Sequence, residues 1–160
     1  MSRDVSSFIK EHVKGHLTIS KAVDEKYVVP MEKVWKEYDN DIGKQEIVLL
    51  GMAIGYKLEK EKKLKEAEDC EKALEKKSGV ADLGNIKAFD ETILTFLLGI
   101  SISKYGVDDT ISRFPEILNE LEELAEKGVM YLYCNLFKKF TLIDKQLESI
   151  LDIKMLLDET

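Results

Sequence analysis

His12 and His16 are the only histidines in a chain of 160 residues, and their i to i+4 spacing is one at which a helix can turn two imidazoles toward one metal ion. The pair is incomplete. Ile9 and Val13 stand three residues before the two histidines, so the Glu-x-x-His unit of carboxylate-bridged di-iron bundles is absent. Both rings also continue an apolar stripe, which favours a packed role over a metal site. Cys70 and Cys134 make no Cys-x-x-Cys motif and lie far apart in unlike surroundings, so they read as reduced intracellular thiols with a structural role. Gly99-Ile-Ser101-Ile-Ser103 begins like a nucleophile elbow, but Ser103 occupies the second glycine position and the run lies within an apolar helix.

Phosphate chemistry finds little support. Neither a Gly-x-x-x-x-Gly-Lys-Ser/Thr loop nor a Gly-x-Gly-x-x-Gly turn occurs, and no cofactor is expected. Lys57, Lys60, Lys62, Lys63 and Lys65 form the densest basic cluster, a weak patch that Glu59 and Glu61 interrupt. A net charge of −7 disfavours nucleic acid as a partner, and only Arg3 and Arg113 among the 24 cationic residues offer a bidentate fork. The acidic run from Glu116 to Glu126 could hold a divalent cation or a basic partner. Its alternation with leucines makes a charged outer face the simpler account. Gly51 and Gly55 form a Gly-x-x-x-Gly ridge along which another backbone can approach closely, either within the chain or across a homodimer seam.

The elements that would carry these residues are helical by period. Val5, Phe8, Ile9, His12 and Val13 keep the offsets of one helical stripe, which Gly15 ends. Ile19, Ala22, Val23 and Tyr27 repeat the pattern up to Pro30, which closes that helix and suits the first turn of the next, with Met31, Val34, Trp35 and Tyr38. Gln45 to Leu58 is apolar on all faces and therefore central. From Lys57 to Lys77 the charge density and the i to i+4 pairs Glu59–Lys63, Glu61–Lys65 and Glu68–Lys72 predict a solvated helical extension. Ser78 to Ala88, with Gly79, Gly84 and Asn85, reads as a loop.

A second largely apolar helix follows from Phe89 to Lys104, and Pro115 opens another with Leu118, Leu121, Leu124 and Ala125 inward. Val129 to Cys134 suits either a strand or a helix, with the longer period through Phe140 favouring helix. Thr141 and Asp144 resemble a capping box opening a last helix. The expectation is an all-α, single-domain bundle spanning 1–160, with about eight helices around two central apolar ones, Gln45 to Leu58 and Phe89 to Lys104.

No apolar run reaches the roughly 20 residues of a spanning helix, and the amino terminus lacks a secretion signal, so no membrane is expected and the cytoplasm is the expected compartment.

Val48-Leu-Leu-Gly-Met-Ala-Ile-Gly-Tyr-Lys57, the helix begun by Phe89-Asp-Glu, and the Leu124-Ala-Glu-Lys-Gly128 turn together resemble small accessory proteins encoded beside DNA phosphorothioation (Dnd-type) systems, over about Val28 to Phe137. The charged Lys60 to Lys77 stretch departs from that family, where a short connection is expected. The resemblance implies an accessory role in DNA modification or anti-phage defence and brings no catalytic motif. The resulting expectation is a non-enzymatic binding or adaptor protein with a protein partner or a homodimeric state. The alternatives are a metal-dependent enzyme whose site is assembled from scattered residues, and a weak nucleic-acid binder through Lys57–Lys65.

Overall fold

The computed structural model describes residues 11–38, 42–67 and 79–138. Within them the chain is mostly helical, with five helices rather than eight and a small two-stranded antiparallel sheet that an all-α reading omits. The expected helix Thr141 to Leu157 lies outside the described residues.

Strand β1 (His16–Ser20) takes its form from strict alternation: Leu17 and Ile19 are buried, whereas His16, Thr18 and Ser20 point the other way. Ile19 therefore belongs to a strand and not to the helical stripe expected from its spacing to Val23. Its partner β2 (Val80–Asn85) occupies the stretch expected to be a loop. Thr18 lies opposite Asp82 and His16 opposite Asn85, so β2 carries one extra residue. Gly84, at φ +125°, takes the left-handed backbone that such a bulge requires.

Helix α1 runs over 21–38, capped by the Ser20 hydroxyl, which accepts from the Val23 N–H at 3.3 Å. Its Asp24–Val28 turn is π-helical, with the Val29 N–H donating five residues back to the Asp24 carbonyl. Pro30 thus sits inside one continuous helix instead of separating two. A proline ring collides with the carbonyl four residues back in a regular α-turn, and the wide turn just before it opens that space.

Helix α2 (Lys44–Lys60) is buried along Ile47, Val48, Leu49, Gly51, Met52, Gly55 and Leu58, as its sequence predicts. It does not continue into the expected charged extension. The Lys63 N–H donates to the Leu58 carbonyl at 2.8 Å and the Lys62 N–H to Glu59 at 3.1 Å, the two bonds of a Schellman cap. Lys62 holds the left-handed position at φ 60°, where glycine is usual. A short 3₁₀ turn, Leu64–Glu66, follows, and residues 68–77 are outside the described region.

Helix α3 (Glu91–Tyr105) begins at Asp90, whose side chain accepts from the Thr92 N–H at 2.7 Å. It buries Leu94, Leu97, Leu98, Ile100 and Ser101 on one side only. After Gly106, helix α4 (Val107–Ser112) leads to α5 (Phe114–Leu132), which has Pro115 in its first turn and a π-helical continuation, Tyr133–Phe137. Val129 to Cys134 is therefore helical.

The inner pair is α2 with α5, not α2 with α3. These two run antiparallel, with Gly51 against Gly128 and Gly55 against Leu124. An aromatic group closes one end of the core: Tyr27 meets Tyr133 edge-on at 5.0 Å, Tyr133 stacks on Phe137 at 5.5 Å, and Trp35 meets Phe137 edge-on at 6.3 Å.

Candidate functional site: a charged cleft beside an uncharged helix face

The Gly51/Gly55 ridge is spent inside the molecule. A Cβ on Gly128 would fall on the Gly51 carbonyl, one on Gly55 would fall on the Leu124 carbonyl, and one on Gly51 would sit 2.5 Å from Val129 Cγ2. Both glycines of the ridge are buried, which leaves no room there for a homodimer seam.

The two histidines do not share a helical face. Glu11 and His12 are helical, Val13 bends, and Gly15 at φ +127° turns the chain into β1, where His16 is the first residue. His16 Nδ1 sits 2.9 and 3.1 Å from the two Asp82 carboxylate oxygens across the sheet. The Gly84 N–H and then His16 hold the Asp82 carboxyl below its ordinary range. Among the described residues no group of three or more His, Cys, Asp or Glu side chains is placed to hold a metal ion.

Ser101 is fully buried and donates to Thr110 Oγ1 at 2.8 Å, because the Thr110 hydroxyl itself donates to the Gly106 carbonyl at 2.7 Å. That chain ties α3 to α4. Cys134 is disulfide-bonded, contrary to its reading as a thiol, and Cys70, the only other cysteine in the sequence, lies outside the described residues. Disulfides persist in oxidising compartments, so the cytoplasmic expectation loses the support it drew from reduced thiols. No helix among the described residues is long and apolar enough to cross a membrane.

Lys57, Lys60, Lys62, Lys63 and Lys65 are all exposed and gather where α2 ends. Cations there complement the helix dipole and the last carbonyls. Lys60 lies over the Tyr56 ring at 5.3 Å, which accounts for one of the five without a phosphate.

The acidic run on α5 departs most from its reading as an outer face. Glu122 Oε2 accepts from the Thr18 N–H at 2.5 Å and from the Thr18 hydroxyl at 3.0 Å, and Glu126 Oε1 accepts from the Ser20 N–H at 2.9 Å. These N–H groups line the β1 edge that β2 does not cover. Two residues along a strand span about 6.6 Å and four along a helix about 6 Å, so carboxylates at i and i+4 match strand donors at i and i+2. The pair seals the open edge of the sheet. Burial pushes the Glu122 carboxyl above its ordinary range despite both Thr18 donors, and the neighbouring Glu126 charge adds to the rise.

Beside this clamp lies a cleft of about 660 Å³ bounded by the β1–α1 junction and the ends of α2 and α3, with α5 along its length. Lys104 reaches Glu59 across it, with its ammonium 5.7 Å from the Tyr56 ring and 5.2 Å from the Tyr105 ring. The Tyr105 hydroxyl donates to Glu120. Burial, Glu120 and Glu59 hold that phenol far above its ordinary value. Of these residues the sequence pattern singles out the α5 acids and, as a helix-supporting partner of Lys63, Glu59. Lys104 and Tyr105 close an apolar helix and carry no motif.

The outer side of α3, whose last residues Lys104 and Tyr105 line the cleft, has the opposite character. Thr92 to Ser103 contains no ionisable side chain, and Phe96 and Ile102 remain 45% and 39% exposed. The starts of α2 and α3 both meet β2 near Gly84, and the Tyr56 hydroxyl donates to the Ser103 carbonyl at 3.0 Å, so the helices run parallel. Leu50, six residues before Tyr56, and Phe96, seven before Ser103, both fall roughly 9 to 10 Å back from that bond. Leu50 is 40% exposed and lies at the same level.

No protein-family model matches this chain, and neither a curated protein nor a solved structure matches it.

Proposed function

We propose that this protein is a non-enzymatic helical adaptor that recognises a protein partner through the outer face of α3. The observation that carries the reading is the uncharged stretch Thr92 to Ser103, with Phe96 and Ile102 open on the surface of a chain of net charge −7. An uncharged face with exposed aromatic and branched side chains on a densely charged surface is where helix-against-helix recognition draws its free energy. The partner's matching surface is an apolar helix or groove with few charges, since an ion brought against this face would lose water and gain no counter-ion. The resemblance of Val48–Lys57, Phe89–Glu91 and Leu124–Gly128 to accessory proteins of DNA phosphorothioation systems extends the reading to a partner in DNA modification or defence.

Affinity isolation from the native cell with the wild-type chain and with Phe96→Asp/Ile102→Asp tests the proposal. The expected result is a stoichiometric partner recovered by the wild type and lost by the variant, both chains giving the same circular dichroism spectrum. Recovery of the same partner by both chains overturns it. Sedimentation distinguishes a second copy as that partner: self-association that the substitutions abolish makes the face a homodimer interface.

A further inference from the structure

We propose that the cleft between the ends of α2 and α3 and the middle of α5 binds an organic cation, an ammonium or guanidinium group carried on an apolar stem. The inference is independent of the α3 face.

Size and lining set the class of ligand. A cleft of about 660 Å³ lies within the range of sites that enclose small ligands or single side chains. Its walls include Val23, Leu64, Leu124 and Met130, which accept a stem but not a head group. Four carboxylates, from Glu59, Glu120, Glu123 and Glu126, face two ammonium groups, from Lys104 and Lys127, leaving two negative charges in excess.

Pairing shows where that excess lies. Lys104 neutralises Glu59, whereas Glu126 accepts from the neutral Ser20 N–H and keeps its charge, with Lys127 next to it in the chain as the one other cation of the lining. Glu120 accepts the phenol hydrogen bond and makes no ion pair among the described residues, although Arg113, outside the cleft lining, feels its charge. Glu123 is exposed and has no hydrogen-bond or ion-pair partner among the described residues.

The cleft also contains a working example of the recognition. The Lys104 ammonium is held by one carboxylate while lying near two tyrosine rings, which combines ion pairing with cation–π attraction. An incoming cation would meet the same chemistry from Glu120, Glu123 and the Tyr105 ring. Burial raises the Tyr105 hydroxyl most, and Glu120 and Glu59 add to the rise against the opposing charge of Arg113.

The same head group is available as a free alkylamine or as a lysine side chain of a partner protein. Titrations followed by ¹H–¹⁵N spectra at about 0.15 M salt, with 1,5-diaminopentane and with the peptide acetyl-Leu-Lys-Leu-amide as separate probes, discriminate these sources. The expected result is saturable shifts confined to the amides around Glu59, Tyr105, Glu120 and Glu123, half-complete on the order of 1 mM. The dianion glutarate at equal ionic strength should leave them unmoved.

Glu123→Gln should weaken binding at least threefold, and Glu120→Gln/Glu123→Gln at least tenfold. Glu123 has no partner to lose, so the single variant keeps the fold. Tighter binding of the diamine identifies a free amine as the ligand, and tighter binding of the peptide identifies a presented side chain. Shifts that spread linearly over the acidic surface, that sodium chloride reproduces, or that survive the double substitution overturn the proposal.

Discussion

Glycine occupies both the tightest and the most open places on the helices of this protein. At the α2–α5 seam, Gly51, Gly55 and Gly128 let two backbones touch, and a single methyl on any of them would overlap the opposite helix. On the outer face of α3, a Cβ at Gly99 would have nothing within 4 Å. The first region is determined by contact and the second by the absence of a neighbour among the described residues. A glycine in a helix is thus no guide to its role until the facing element is known.

The largest effect is expected of Gly128→Ala. The seam must open to admit the methyl, and a loss of about 3 kcal/mol, at the upper end of overpacking costs, is expected from urea denaturation. A variant as stable as the wild type would mean that the helices do not meet as described.

Next in size is the carboxylate clamp that ties α5 to β1. Glu122→Gln weakens two hydrogen bonds to Thr18, for an expected loss of about 1 kcal/mol at neutral pH. The pH dependence has a definite sign. The Glu122 carboxyl is raised in the folded state, so its contribution is fully present below the ordinary glutamate value and is lost as pH rises through the raised one. The advantage of wild type over Glu122→Gln should therefore shrink as pH rises through that window. An advantage that grows with pH would contradict the burial assigned to Glu122.

Lys62→Gly should act in the opposite direction. Here conformation and not contact asks for glycine, because Lys62 sits at φ 60° in the Schellman position. Removing the side chain from a left-handed backbone should stabilise the chain by up to about 1 kcal/mol, partly offset by the freedom glycine adds to the unfolded state. Smallest of all, Gly99→Ala should leave the fold unchanged or raise its stability by about 0.5 to 1 kcal/mol through helix propensity alone. Thermal unfolding of Gly99→Ala beside Gly128→Ala gives the contrast directly: the same substitution should move the two midpoints in opposite directions.

Local pattern made some of this architecture legible. The largely apolar run around Ile47 to Leu58 marks a buried helix, and that is where α2 lies. Pro115 and the leucine stripe mark α5. The strands escaped because β1 is five residues long and pairs with a segment more than sixty residues away, so its one local sign, the alternation of Leu17 and Ile19, competed with a helical reading of the same residues. Gly79, Gly84 and Asn85 make the stretch look like a loop, and within β2 the bulge needs Gly84 in its left-handed conformation. Pro30 was misleading for the converse reason: a π-turn removes the clash that ordinarily ends a helix.

The helical character of the chain, the burial of α2 and the uncharged run on α3 can be read from the amino-acid order alone, because they follow from side-chain type and a period of a few residues. It takes the folded chain to show that α5, not α3, is the inner partner of α2, that Glu122 and Glu126 turn in to seal a strand, and that Glu59, Lys104, Tyr105 and Glu120 share one cleft. Those relations join residues 45 to 106 positions apart in some cases, and local periodicity says which way a side chain faces but not what stands opposite it.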